Sequence, residues 1–524
     1  MDAVRKGIAK VHATVVNGAT ALTCISHKAP ARLLPLRTPA AAQRGAARCV
    51  LSSLGGGLLQ GDAIDVEACV GAGATLQLST QASTKVYRGE RGATQSMAAT
   101  VGEGGLLVLT PDAVTPFADS SYEQKQQIRL DRGGSCVVVD WLGAGRSANG
   151  ERWRSTKCTS RTEYRMGDTT LVDAVALDGA KNIDAEDAWY DAVVSCVFMG
   201  PRAQAAGDRA MSVARHLASC GGARVADGPQ SKVGPLVGSV VAGASRIDEA
   251  TVVARFCSET PEDAYRILRA ALAPLEGALG EAPYADRIHG VGGFGTRPRV
   301  VVREEEAHAV VASTYTIAPE HLVSLAQLTD SALPTGAFAH SQGLEAAAQL
   351  GLLKADDERS LARFLGQLRA SHYSLAAPFF DAAYAGEDAG ALDAQLDALL
   401  VGSPPAARAS LSQASGLRRV AGALGAPEPE GTHGAVALGA LARDLGLPLA
   451  CARDAYAFSV VRDACSAAVR LGICRPTRAV AVQRHVLSRP RPRVPALADA
   501  AAAAPGVEAA HCAHDLLEMR LFRS

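Results

Sequence analysis

Asp62, Ser83, Thr84, Lys85, Asp140, Arg146, Arg161 and Glu163 are polar residues at or near the ends of strand-like runs. Oxygen donors spaced along a β interior could give a divalent cation weak, transient coordination. The competing reading is a set of surface groups and salt bridges. A second cluster lies near the end of the chain. His511 and His514 are spaced i, i+3, with Cys512 and Asp515 beside them. Such spacing can hold a metal on one helical face. The alternative is an amphipathic tail that docks on a partner through Leu517, Leu521 and Phe522. His340 follows Pro334-Thr335-Gly336-Ala337-Phe338-Ala339, and a lone histidine in such an apolar stretch is expected to pin a turn by a side-chain hydrogen bond.

Other chemistries lack their residues. Gly290-Val291-Gly292-Gly293-Phe294-Gly295 fits G-x-G-x-x-G. A dinucleotide site needs a helix directly after that loop. Here Arg297-Pro298-Arg299 and the β-like Val300-Val301-Val302 follow, so a turn is expected, with a nucleotide-dependent enzyme as the alternative. Gly55-Gly56-Gly57 lacks the Lys-Ser or Lys-Thr of a phosphate loop. No G-x-S-x-G or H-E-x-x-H occurs, and none of the twelve cysteines forms a C-x-x-C. Cys136 and Cys465 sit in apolar runs and are expected to be small buried hydrophobes in a reducing compartment.

The elements that must position these groups change character along the chain. Glycine clusters at Gly71-Ala72-Gly73, Gly102-Glu103-Gly104-Gly105 and Asp131-Arg132-Gly133-Gly134 punctuate short strand-like runs. Thr75-Leu76-Gln77-Leu78-Ser79 alternates polar and apolar, while Leu106-Leu107-Val108-Leu109 and Cys136-Val137-Val138-Val139 are apolar throughout. Two helices are expected later in this half. One runs from about 201 to 220; the other starts with Thr260 as N-cap, Pro261 next, and Glu262 and Asp263 in the first turn. Beyond about residue 310 the period becomes helical, as in Leu322, Leu325, Leu328 and again in Leu361, Phe364, Leu365, Leu368. The run Arg489-Pro490-Arg491-Pro492-Arg493 reads as a solvated linker, and 500–504 is low in complexity.

A chain of 524 residues has room for two or more domains, each with its own core. Lys plus Arg and Asp plus Glu are both 53, which argues against a broad nucleic-acid or membrane surface. No run approaches the ~18–20 apolar residues of a membrane span. The first ten residues lack the apolar core of a secretory signal, and a cytoplasmic location is expected.

The first half resembles UreD, a urease accessory protein family. The resemblance rests on Gly55-Gly56-Gly57-Leu58-Leu59-Gln60-Gly61-Asp62, Thr80-Gln81-Ala82-Ser83-Thr84-Lys85-Val86-Tyr87-Arg88, Pro111-Asp112-Ala113-Val114-Thr115-Pro116-Phe117, Gly150-Glu151-Arg152-Trp153 and Ser160-Arg161-Thr162-Glu163, in that order. The second half resembles UreF through Leu333-Pro334-Thr335-Gly336-Ala337-Phe338-Ala339-His340-Ser341-Gln342-Gly343-Leu344-Glu345, through Gln413-Ala414-Ser415-Gly416, and through the tail Arg520-Leu521-Phe522-Arg523-Ser524. Residues 178–232 match more loosely, and Met519 departs from the family pattern.

The resemblance implies a mainly-β domain of layered or helical β-sheets with two α-helices over 1–303, a tether over 304–318, and an all-α domain over 319–524. It further implies a non-catalytic chaperone of metallocentre assembly in nitrogen metabolism. Such a scaffold binds the urease apoenzyme and a UreG-type GTPase, self-associates as a dimer, and guides nickel into urease; GTP enters only through the GTPase. On this view Asp62, Ser83, Thr84, Asp140, Arg146 and Glu163 shape the nickel path. Pro334, Phe338, His340, Glu345, Arg520, Leu521, Phe522, Arg523 and Ser524 serve partner contacts, with the tail docking on the UreD-like half. A generic adapter without metal handling is the further alternative.

Overall fold

In a computed structural model, residues 5–37, 45–177, 189–219, 238–287 and 318–524 are described. The expected β half is a coil of strands that alternate between two stacked sheets. Asp62–Val70, Ala93–Val101, Ser121–Leu130 and Lys157–Met166 run parallel in a seven-stranded sheet, with Arg5–Val16 and Ala19–Lys28 at one edge and Thr169–Leu177 at the other. Between them in sequence, Thr75–Thr80, Leu106–Thr110 and Ser135–Gly143 run parallel in the ten-stranded sheet. The glycine clusters are the corners of this coil. Gly73, Gly104 and Gly133 all have positive φ, which glycine tolerates without steric cost. The corners stack, with Gly73 N donating to Glu103 O at 2.9 Å and Gly104 N to Gly133 O at 3.1 Å. The Arg202 guanidinium ties the stack together through Ala74 O, Gly104 O and Thr75 Oγ1.

Alternation decides what faces inward. In Asp62–Val70 the side chains of Ile64, Val66, Ala68 and Val70 enter the space between the sheets, and Asp65, Glu67 and Cys69 face out. The central strands of the second sheet are mostly apolar because they are covered on both faces, with Asp140 and Ser195 among the polar exceptions. The two expected helices, Gln204–Ser219 and Pro261–Leu272, supply that second cover. Their Ala206, Ala210, Leu217, Ile267 and Leu268 pack with Val137, Val139, Trp141 and Phe198. The Thr260 hydroxyl caps the second helix by accepting from Asp263 N at 3.2 Å.

From residue 319 onward the elements are helices, from Pro319–Leu328 to Pro505–Ala513. Leu361, Phe364, Leu365 and Leu368 are buried as their spacing requires, and Leu325 is buried while Leu322 is exposed. Cys136 and Cys465 are buried. The basic run after Ser488 is tied down at two points. Arg369 donates to Arg489 O and Pro490 O, and Arg491 pairs with Asp454 at 2.7 Å. The Gly290–Gly295 loop, residues 304–317 of the tether, and residues 178–188 and 220–232 lie outside the described residues.

The two halves meet along the alanine-rich segment that looked featureless in sequence. Ala176 N donates to Ala502 O at 2.9 Å and Ala502 N to Ala174 O at 3.1 Å, adding a β-bridge to the edge strand Thr169–Leu177. Helix Pro505–Ala513 then lies against strand Val240–Asp248. The contact is close because residue 243 is glycine. A Cβ there would overlap Ala513 N and come within 2.5 Å of Ala509 O and 2.6 Å of Cys512 C. These are backbone atoms of a packed helix and cannot rotate aside. Gly243→Ala is therefore expected to lift the helix and to cost roughly 1–3 kcal/mol. Thermal unfolding with limited proteolysis checks this; unchanged stability and cleavage would contradict the packing described.

Candidate functional site

A cavity of about 40 Å³ lies between the sheets, lined by Thr84, Asp112, Gln124, Gln126 and Asp140 among apolar neighbours. Its polar lining is unusual for the centre of a sheet sandwich. Ser121–Leu130 buries alternate residues, and two of those inward positions are glutamines, Gln124 and Gln126. Lys157–Met166 does likewise with Ser160 and Thr162. Buried polar atoms need partners, and these supply one another. Gln124 Nε2 donates to Asp140 Oδ1 at 3.2 Å and to Ser160 Oγ at 3.0 Å, and the Ser160 hydroxyl donates to Asp140 Oδ2. Tyr122 Oη donates to Gln124 Oε1 at 2.9 Å, and Gln126 Nε2 to Thr162 Oγ1 at 3.2 Å. Burial pushes the Asp140 carboxyl up to about 6. Asp112 closes another side of the cavity, held by Arg287 at 2.7 Å and by the Tyr265 hydroxyl at 2.8 Å.

Of the expected path residues, Thr84 and Asp140 line this cavity together. The others are dispersed. Asp62 is buried at the start of its strand and accepts from Leu59 N in the preceding turn at 2.8 Å. Ser83, next to Thr84 in sequence, is only half-buried. Arg146 pairs with Glu151 and lies over the Phe117 ring at 4.6 Å. Glu163 faces the outside of its sheet and pairs with Arg165. Its neighbours Ser160 and Thr162 face inward instead, so the strand is the expected one but the parity differs by one residue.

Charged groups continue from the cavity to the helical half. Asp173 lies near enough to Asp140 to oppose its ionisation. Arg255 Nη2 donates to Asp173 at 2.8 Å; its Nη1 reaches Gly402 O at 2.9 Å and Cys512 Sγ at 3.4 Å, both in the helical half. Burial works against the Arg255 charge, but Asp173, Cys512 and Glu508 outweigh it and hold its pKa above the ordinary value. Burial also raises the Glu508 carboxyl. Next to Cys512, His511 is buried with neither ring nitrogen partnered among the described residues, and desolvation pulls its pKa down to about 3.

Within one chain the C-terminal tail is hydrogen-bonded by the helical half. It folds back on the loop that carries His340. Glu345 accepts from Leu521 N at 2.6 Å and Phe522 N at 3.1 Å, and pairs with His514 Nε2 at 3.2 Å. His340 pins the chain end rather than its own turn: Nδ1 meets Ser524 Oγ at 2.5 Å while Nε2 has no hydrogen-bond partner among the described residues, and Ser341 N donates to Ser524 O at 2.6 Å. Arg523 N donates to Ala339 O at 2.9 Å. Arg470 lies over the rings of both Phe338 and Phe522. His340, Glu345, Phe522 and Ser524 are thus internal, while Pro334, Phe338, Arg520, Leu521 and Arg523 are exposed. The helix just before the tail, Pro505–Ala513, makes the contact with the β half. His511 and His514 are both buried on or beside it, and they do not converge with Cys512 and Asp515 as a ligand group.

Comparison with known proteins agrees with this architecture. Residues 5–290 match the family described as UreD urease accessory protein, and residues 355–487 match UreF. The urease accessory protein UreD of Sorangium cellulosum is 39% identical over 254 residues, covering 48% of this chain and 76% of that protein. That of Anaeromyxobacter sp. is 36% identical over 288 residues, covering 54% and 90%. Urease accessory protein D of Oryza sativa subsp. indica is 32% identical over 298 residues, covering 54% and 97%.

The raised Asp140 pKa carries a pH signature. Below pH 4 its carboxyl is protonated in both folded and unfolded chains and costs nothing. As pH rises from about 4 to 6 the unfolded chain ionises first, so stability falls; above 6 the penalty is full. Asp140→Asn is expected to stabilise the protein at pH 7.5 by up to about 3 kcal/mol, the equivalent of the shift from 3.8 to about 6, with no gain at pH 4. Denaturant unfolding at the two pH values measures this, and a gain that persists at pH 4 would contradict the assignment.

Proposed function

The chain belongs to the UreD family of urease accessory proteins and continues into a UreF region, and we propose that it is a non-catalytic cytoplasmic scaffold that guides nickel from its helical half into its β half and on to urease. The observation that carries this reading is the oxygen-lined cavity around Asp140, where a sheet sandwich would ordinarily be filled by apolar side chains. Weak oxygen donors suit a cation that must leave again. The charged series Asp173, Arg255 and Glu508, with the unpartnered His511 beside it, links that cavity to the helical half. Nickel is cargo here, held in turn by carboxylate, amide and hydroxyl oxygens. Asp140 and Thr84 are the direct contacts; Asp62, Ser83, Arg146 and Glu163 act by shaping the β half around them.

The partners follow from the same reading. The β half receives the urease apoenzyme. The helical half receives a UreG-type GTPase and pairs with a second copy of itself. Pro334, Phe338, Arg520 and Leu521 are the exposed contact residues, while His340, Glu345, Phe522, Arg523 and Ser524 hold the tail that presents them. Units at 1–303 and 319–524, joined by a tether over 304–318, keep the halves together at an effective concentration of about millimolar.

Reconstitution tests this. Apo-urease, the GTPase, nickel, bicarbonate and GTP are mixed with or without the chain, and urea hydrolysis is followed. Activation is expected only with the chain, and Asp140→Asn is expected to lower it roughly tenfold while remaining folded. Equal activation without the chain would contradict the proposal.

A further inference from the structure

The outer face of the seven-stranded sheet carries a second constellation. Strand Arg5–Val16 pairs with Ala19–Lys28 on one side and Asp62–Val70 on the other. In that register His12 stands opposite Cys24 and opposite Cys69, and Lys10 stands opposite Glu67. Residues directly opposite share a face, so Cys24, His12 and Cys69 form one row across three neighbouring strands. Glu67 lies in the adjacent row on the same side. The ligand atoms of His12, Glu67 and Cys69 all lie within 4.8 Å of one another. His12 Nε2 is 3.2 Å from one Glu67 oxygen, and the Lys10 ammonium is 2.7 Å from the other. A concavity of about 500 Å³ opens beside His12 and Cys69.

Two observations separate this from an ordinary surface ion-pair cluster. Every other cysteine among the described residues is buried; Cys24 and Cys69 are the two that reach solvent, and they flank the same histidine. Nor do they suit a disulfide. Two strand spacings put them about 9–10 Å apart, beyond the ~7 Å that a disulfide spans. Imidazole nitrogen, carboxylate oxygen and thiolate sulfur together select a borderline-soft divalent cation over magnesium or calcium.

We propose that His12, Glu67 and Cys69 form a surface site for a borderline divalent transition-metal cation of the nickel, cobalt or zinc class, with Cys24 as a flanking fourth donor. On binding, the Cys69 thiol gives its proton to solvent and its sulfur bonds the metal. Glu67 exchanges its contact with Lys10 for one with the cation. The site is independent of the inter-sheet cavity, because its residues point to the opposite side of the sheet from Ile64, Val66 and Ala68.

Cobalt(II) titration of the reduced full chain, followed by optical absorption, tests the site. Thiolate-to-cobalt charge-transfer bands are expected, and zinc should displace them. Cys69→Ser should abolish the charge-transfer bands, His12→Ala should weaken binding, and Cys24→Ser should shift the visible bands. Asp140→Asn should leave the thiolate-to-cobalt charge-transfer bands unchanged, because no thiol lines the proposed inter-sheet path at that residue. His12, Cys24 and Cys69 are only partly buried, and circular dichroism verifies that each variant folds. Absence of a thiolate band in the wild-type chain, or its persistence in folded Cys69→Ser and His12→Ala, would overturn the proposal.

Discussion

Helix Pro505–Ala513 is held between two glycines, and the joining of the halves depends on that fit. Gly243 lets it approach the sheet of the β half until backbone nearly meets backbone. On its other side lies Gly343, at φ +79°, where a Cβ would sit 3.1 Å from His511 Cδ2. Each glycine gives up side-chain packing; Gly243 returns a shorter distance between the halves, and Gly343 seats the helix within its own half. The close approach brings Arg255, opposite Gly243 in the sheet register, within reach of Cys512 and Gly402. It also positions Glu345 to take the backbone of the tail that follows the helix. The contact is therefore both the mechanical joint and the place where buried charge crosses from one half to the other.

Much of the architecture was legible in the sequence because it rests on local rules. The glycine clusters read as turns, and Thr260-Pro261 read as a helix start, since positive φ and capping are decided within a few residues. What was not read was the repetition of the clusters: Gly73, Gly104 and Gly133 recur about every thirty residues, which is the period of a coil. Parity was the next loss. Glu163 drew notice as an acid, yet the period of two sends it outward and Ser160 inward. The glutamines at Gln124 and Gln126 carried the better signal, being polar at the positions of an alternating strand otherwise held by Tyr122 and Ile128.

The junction was the least legible part, for a physical reason. Ala500, Ala501, Ala503 and Ala504 are nearly fully buried, but alanine's small size is what a close contact needs and also what makes the run look featureless. Likewise the tail residues gave no sign of which half they would meet. The tail is taken by the turn and helix start at 339–345, where Ala339, His340, Ser341 and Glu345 all bond it from far away in the sequence.

Under the proposed function the interior trades stability for passage. A carboxyl at Asp140 and histidine nitrogens without partners are costly in a protein core, and they lie along one series that spans both halves. The account's central claim is that nickel moves inside this series rather than through solvent. The direct measurement is nickel arriving at apo-urease from the loaded GTPase, with this chain present and a strong external chelator added. Enclosed transfer predicts nickel delivery that is insensitive to the chelator, and delivery abolished by it would contradict the account.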